Sequence, residues 1–196
     1  MGVMRVTSKG WRLEPRWQWE ETGQVLVLKT GGVTERIQQD VRQALSELVE
    51  DFSLPLRVAP GSREDETALD TLVQELTLQG KLEPQSLLTR INELRLLEAR
   101  FAAGLAVLLD PNKVTLVSAG ASRPPIYGVG YDDGLVLLRA HHREAVIHES
   151  AHMLGVDGSD PDGNCPDPVC IMNYYCPSST WFCEQCQDLL QRVWSA

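Results

Sequence analysis

The sequence predicts a domain of the mixed α/β (α+β) class, in which helices pack on a twisted mixed sheet. Strand and helix patterns alternate early in the chain, and hairpin-like strand pairs follow later. With 196 residues, of which 43% are hydrophobic, the chain can bury a full core. We divide it into an N-terminal arm at 1–22, which we expect to be irregular or partly ordered, and one folded domain at 23–196.

Short apolar runs predict the strands, and apolar residues at helical spacing predict the helices. Thr34 precedes the longest helical pattern and is suited to be its N-cap. An all-apolar segment at 105–109 suits the middle of a sheet, and Asp-Asp-Gly at 132–134 predicts a hairpin turn. The predicted elements are, in order, a strand at 24–29, a helix at 35–52, a strand at 54–58, a charged loop at 63–66, helices from Thr67 to near Gly80 and from Pro84 to near Gly104, strands at 105–109, 114–117, 126–129 and 135–138, and a helix at 141–154.

Charge and hydropathy exclude several functions. The formal charge of −9 and the pI of about 4.9 argue against nucleic acid as the main partner, because phosphate backbones require basic patches. No apolar run approaches the roughly 18–20 residues that span a membrane. The N-terminal residues contain no continuous apolar segment, so we expect no signal peptide and a cytoplasmic location. We expect a monomer.

The pattern His148-Glu149-x-x-His152 carries the clearest chemical information. Residues four apart lie on one face of a helix, so both imidazoles can reach one metal ion with Glu149 beside them. Two neutral nitrogen ligands and a carboxylate that accepts a proton from metal-bound water are what a zinc hydrolase needs. Gly155 can adopt the left-handed conformation that ends the helix and reverses the chain, which could bring a third ligand back.

All five cysteines lie between 165 and 186. A secreted disulfide protein usually spreads its cysteines to close long loops. Clustering in a chain without a predicted signal peptide favours metal binding in a reducing compartment over disulfides.

The segment from His148 to Cys186 resembles the archaemetzincins, zinc peptidases of the metzincin clan. Their signature joins HExxHxxG to a third histidine, an adjoining cysteine, a Cys-x-Met and a later Cys-x-x-Cys. The residues that match in order are His148, Glu149, His152, Gly155, Cys165, Cys170, Met172, Cys183 and Cys186. The order of predicted elements upstream is also similar to the layout of that family.

The resemblance implies a metzincin-like sheet, an active-site helix, a Met-turn at Met172 and a small Cys-rich segment at 165–186. It implies one catalytic zinc, and a second, structural zinc at Cys165, Cys170, Cys183 and Cys186. A four-thiolate site is tetrahedral and closed, and the two cysteine pairs fit such a site. Cys176 is a fifth thiol that could replace Cys170 or remain free. By resemblance, Tyr174 contacts the zinc or stabilises the oxyanion.

The third zinc ligand departs from the family pattern. Position 158 is glycine and the residue before Cys165 is Asn164, so the expected histidine is missing. We predict Asp157 as the third ligand, with Asp160 and Asp162 as alternatives, because a carboxylate can bind zinc. These aspartates could instead form a polar turn or a weak calcium-type loop.

These patterns predict a zinc-dependent metallopeptidase in which Glu149 activates a zinc-bound water that attacks a peptide carbonyl. We expect the substrate to lie along an edge strand near 126–138. The alternative is a catalytically impaired, zinc-stabilised interaction module with the same fold. A DNA-associated metalloprotease with cysteine pairs is a third hypothesis, which the acidic charge disfavours.

Overall fold

A five-stranded mixed sheet forms the centre of this computed structural model, which describes residues 3–7, 10–14, 23–94, 104–117, 128–131, 134–156, 163–173, 179 and 181–194. The strands are β1 (Val3–Thr7), β2 (Gly10–Glu14), β3 (Gly23–Lys29), β4 (Leu56–Pro60), β5 (Lys81–Leu82), β6 (Gly104–Leu108), β7 (Thr115–Leu116), β8 (Gly128–Tyr131) and β9 (Leu135–Leu138). The helices are α1 (Glu35–Asp51), α2 (Arg63–Leu76), α3 (Pro84–Leu94), α4 (Arg143–Met153) and α5 (Glu184–Trp194). The class predicted from the sequence is confirmed.

The central sheet has the strand order β4-β3-β6-β9-β8. The first four strands run parallel, and β8 pairs antiparallel with β9 at one edge. The predicted hairpin between these last two strands is therefore confirmed. Within the described part of the chain, one side of β8 has no partner strand of the sheet, and the helix that follows β9 lies beside this strand.

Both faces of the inner strands are buried, which explains why β6 and β9 are apolar throughout and β3 is apolar from Val25 to Leu28. Alternate residues of β3 point to opposite faces, with Val25 and Val27 in one core and Leu26 and Leu28 in the other. The first core also contains the apolar faces of α1 and α4 and the cysteine segment. The second lies beneath α2 and α3. The metal-binding motif thus lies on the same side of the sheet as the cysteines.

Helix α1 begins as predicted, because the Thr34 side chain accepts a hydrogen bond from the backbone N–H of Ile37. The prediction for α2 is wrong at both ends. Its first turn is the segment 63–66, which the sequence analysis assigned to a loop, and it ends at Leu76 rather than near Gly80. Ser62 caps this helix, and acidic residues in a first turn are favoured by the helix dipole.

The N-terminal arm, which we expected to be irregular or partly ordered, contains an antiparallel hairpin of β1 and β2. Two predicted strand boundaries need correction. The predicted strand at 114–117 shortens to β7, which pairs with β5 outside the central sheet. The strand predicted at 54–58 begins later, as β4. Among the described residues, no helix is both long and apolar enough to cross a membrane.

Candidate metal centres

Helix α4 carries both motif histidines and has a defined start and end. It begins after His142 rather than at 141, and the Nδ1 atom of His142 accepts a hydrogen bond from the backbone N–H of Ala145. At its other end Gly155 adopts a φ of +94°, in the left-handed region. The N–H groups of Gly155 and Val156 donate to the carbonyls of His152 and Ala151, which is the Schellman pattern. The helix therefore stops directly after the second histidine.

The rings of His148 and His152 lie one helical turn apart, with centroids separated by 5.0 Å. The Nδ1 atom of His148 is 2.7 Å from the carbonyl oxygen of Ile171. Because a carbonyl can only accept, the proton of neutral His148 is on Nδ1, and the lone pair is on Nε2. A hydrogen bond of this kind is how metal-ligating histidines are usually oriented.

Burial sets the protonation state of His148. Burial, together with a smaller effect of the neighbouring His152, lowers the pKa of His148 to about 4, although the hydrogen bond to the Ile171 carbonyl acts in the opposite direction. The imidazole is consequently neutral at physiological pH, which is the form that binds zinc.

The carboxylate of Glu149 lies between helix α4 and the edge strand β8. Its Oε2 atom accepts a hydrogen bond of 3.0 Å from the backbone N–H of Gly130. Burial raises the pKa of Glu149, although the electrostatic interaction with His152 and the Gly130 hydrogen bond act in the opposite direction. A carboxyl group with a raised pKa is suited to accept and return a proton near neutral pH.

Glycines on β8 allow this close approach. A Cβ atom at Gly130 would lie 2.2 Å from the carbonyl oxygen of Glu149 and 2.6 Å from the Cβ of His152. A Cβ atom at Gly128 would lie 2.8 Å from the Cγ of Glu149. Glycine at both positions therefore allows α4 to pack closely against β8.

The structure brings the donor atoms of His148, Glu149 and His152 within 4.8 Å of one another. Two imidazoles and a carboxylate in this space fit a zinc ion with His148 and His152 as ligands. The predicted third ligand, Asp157, and its alternatives Asp160 and Asp162 lie outside the described residues.

A second group of donors is formed by four cysteines whose sulfur atoms also lie within 4.8 Å of one another. These are Cys165, Cys170, Cys183 and Cys186. The sulfurs of Cys165 and Cys183 are 3.7 Å apart, too far for a disulfide, and the backbone N–H of Cys183 points to the sulfur of Cys170 at 3.3 Å. Two segments that are separate in sequence thus meet at one point.

The electrostatics of the cysteine cluster favour a bound cation. Burial raises the pKa of Cys165 to about 11 and raises that of Cys186 as well. For Cys183 burial also acts to raise the pKa, but the N–H of Cys186 and the neighbouring thiols outweigh it and lower the pKa. At Cys165 and Cys186 burial therefore disfavours the thiolate unless a cation such as Zn²⁺ compensates its charge.

The Cys170-Ile171-Met172 segment, predicted to form the Met-turn, is held by backbone hydrogen bonds. The N–H of Ile171 donates to the carbonyl of Trp181 at 2.8 Å, and the N–H of Cys165 donates to the carbonyl of Met172 at 2.8 Å. Met172 itself is fully buried in the core shared with α4. Tyr174 and Cys176 lie outside the described residues.

The remaining histidines, His141 and His142, have structural contacts. His141 hydrogen bonds to the Leu138 carbonyl through Nε2, and His142 caps α4. The hydrogen bonds that the Gly130 N–H and the Ile171 carbonyl make with Glu149 and His148 were not predicted from the sequence. The Gly-x-Gly spacing at 128–130 could have indicated a close backbone approach, since glycine within a strand often marks one.

The mixed sheet, with a histidine-bearing helix beside its antiparallel edge strand and a cysteine cluster near the C-terminus, defines a metzincin-like class of fold. No protein-family model and no curated protein matches the chain. Among solved structures, the chain is similar to the crystal structure of archaemetzincin from Methanopyrus kandleri, with 16% identity and a TM-score of 0.63. The match covers 94% of this chain and 100% of that chain, so the fold is archaemetzincin-like.

Proposed function

We propose that this chain is a zinc-dependent metallopeptidase. The observation that carries the proposal is the arrangement of the motif on α4. His148 is held as the tautomer with a free Nε2, His152 lies one turn away, and the buried Glu149 carboxyl lies beside both. When bound there, zinc would polarise a carbonyl oxygen and lower the pKa of water.

Glu149 is the proton-transfer group of this proposal. Its Oε2 atom is occupied by the Gly130 N–H, so Oε1 is the atom that would take a proton from the attacking water. Burial raises the pKa of the group, which helps it to pass that proton to the leaving amine. We propose Tyr174 as a hydrogen-bond donor to the tetrahedral intermediate, and Asp157 as the third ligand.

The edge strand β8 supports the choice of an extended peptide as the substrate. A strand at the edge of a sheet can pair with an added strand through its backbone groups, and β8 is directly beside Glu149. We propose a monomeric protein that acts in the cytoplasm on peptides or proteins, not on nucleic acid or membranes. The four-cysteine cluster would hold a structural zinc.

Cleavage of an unstructured protein such as casein by the zinc-loaded chain tests the proposal. Because Glu149→Gln keeps the size of the side chain but cannot accept the proton, cleavage should fall by at least about 100-fold. The control is Glu144→Gln, an exchange of the same kind on the exposed part of α4, which should leave the rate unchanged. Cleavage that persists in Glu149→Gln would contradict the assigned role.

A second candidate function is a zinc-stabilised interaction module without catalytic activity. The specific observation in its favour is that all four histidines of the chain precede Met153, so none can complete the site after the Gly155 turn. Zinc bound at His148 and His152 together with no cleavage of any extended peptide would support this function instead of a peptidase.

A further inference from the structure

We propose that the cysteine cluster orients His148, so that zinc at the four cysteines strengthens zinc binding at the histidines. This proposal rests on the zinc binding assigned to the histidines above. It adds that the two metal centres are energetically coupled through the chain, rather than being one catalytic and one independent structural site.

The first connection is the hydrogen bond between His148 and Ile171. Ile171 directly follows Cys170, a member of the cluster, and its carbonyl lies 2.7 Å from Nδ1 of His148. The N–H of Ile171 donates to the carbonyl of Trp181, which lies two residues before Cys183. The Ile171 carbonyl, which fixes the His148 tautomer, therefore lies between the segments that contain Cys170 and Cys183.

Hydrogen bonds around Cys165 hold the same segment from the other side. The N–H of Cys165 donates to the Met172 carbonyl, and the side-chain amide of Asn173 donates to the Cys165 carbonyl at 2.8 Å. Ile171 is consequently fixed by neighbours on both sides. A displacement of Cys165 or Cys170 would move the carbonyl that His148 requires.

The second connection is helix α5, which begins directly after Cys183 and carries Cys186. At its far end the indole N–H of Trp194 donates to the Leu154 carbonyl at 3.0 Å. A Cβ atom at Gly155 would lie only 3.2 Å from Val193, so the two segments are in close contact. The cluster therefore also positions the turn that ends α4 just after His152.

Loss of the cysteine metal would loosen these connections. Without a cation only weak contacts such as the 3.7 Å approach of the Cys165 and Cys183 sulfurs join these segments, whereas a shared ion would hold all four sulfurs. Removal of the hydrogen-bond partner of a metal-ligating histidine typically lowers metal affinity by about 10–100-fold. We expect an effect of this size at the histidine site when the cluster is empty.

The test measures zinc affinity at the histidine site by competition with a chelator, using the full-length chain. In Cys183→Ser, which removes one cluster ligand, the affinity of the histidine site should fall at least about tenfold. The matched control is Cys176→Ser, which also replaces a thiol in this segment but leaves the four clustered cysteines in place. Equal histidine-site affinity in wild type and Cys183→Ser would overturn the coupling.

A second measurement uses the wild-type chain and so does not depend on the folding of a variant. Histidine is labelled with ¹⁵N, and NMR follows which ring nitrogen of His148 carries the proton as zinc is added. The cysteine site should fill first, and His148 should become fixed with the proton on Nδ1 before zinc reaches the histidines. A His148 signal that is unchanged while the cysteine site fills would overturn the proposal.

These outcomes are separable from failure of the proposed function. If His148→Ala leaves the amount of bound zinc unchanged, zinc binding at the histidines is wrong and the coupling fails with it. If both sites bind zinc with independent affinities, only the coupling fails, and the peptidase proposal stands.

Discussion

At the scale of single residues, backbone groups contribute as much to the candidate site as side chains do. Gly130 donates its N–H to Glu149, and Ile171 offers its carbonyl to His148. The motif residues His148, Glu149 and His152 are recognisable because their side chains carry the chemistry at helical spacing. The backbone contacts have no such pattern, since any residue has an N–H and a carbonyl.

Gly130→Ala should destabilise the domain by roughly 1–3 kcal/mol and weaken zinc binding at the histidines. The added Cβ would lie 2.2 Å from the Glu149 carbonyl oxygen, so α4 or β8 must shift. Urea unfolding and zinc competition measure the two effects. Gly80→Ala is the control, because its Cβ would meet only one atom, at 3.6 Å, although its φ of +74° still costs about 1 kcal/mol. Unchanged zinc binding in Gly130→Ala would contradict the close packing.

The zinc-free chain should lose stability as the pH falls from 6.5 towards 4. In this range His148 is protonated in the unfolded chain but stays neutral in the folded chain, because burial lowers the pKa of His148 from 6.5 to about 4 on folding. The contribution of His148 to the free energy of unfolding is thus fully present above pH 6.5. It decreases by up to roughly 3 kcal/mol as the pH falls towards 4. Urea unfolding with a chelator at pH 7 and pH 5 tests this. The same pH dependence in His148→Gln would contradict the assignment.

At the scale of elements, hydrophobic periodicity located most of the structure. The predicted helix beginning at residue 35 and the strands β3, β6 and β9 are confirmed with small shifts at their ends. The helix predicted from Pro84 to near Gly104 is confirmed from Pro84 to Leu94, and residues 95–103 lie outside the described part of the chain. The charged start of α2 was mistaken for a loop because capping by Ser62, rather than apolar periodicity, decides where it begins. Helix α5 was not predicted from the sequence, although Leu190 and Val193 lie at helical spacing and are buried on one face of it.

Trp194→Phe should lower the free energy of unfolding by about 1–2 kcal/mol. The substitution keeps an aromatic ring but removes the donor to the Leu154 carbonyl. The control on the same helix is Arg192→Ala, which breaks an exposed ion pair with Asp188 and should change stability by less than about 0.5 kcal/mol. Equal effects of the two variants, measured by urea unfolding, would show that α5 does not secure the end of α4.

At the scale of the whole molecule, the sheet and the two metal centres form one connected arrangement. The core on the α4 side of the sheet includes Cys165, Cys170 and Cys186 together with the apolar residues of α1 and α4. The sequence predicted this mixed α/β class and the members of both donor groups. It did not predict their connection, because contacts between Ile171 and His148 depend on how distant segments pack.

The zinc content of the purified chain tests the central claim most directly. Native mass spectrometry of wild type, His148→Ala and Cys183→Ser counts the bound ions without requiring a substrate. The account predicts two zinc ions per wild-type chain, and one in His148→Ala, because the cysteine cluster still binds its ion. One zinc ion per wild-type chain, unaffected by His148→Ala, would contradict it.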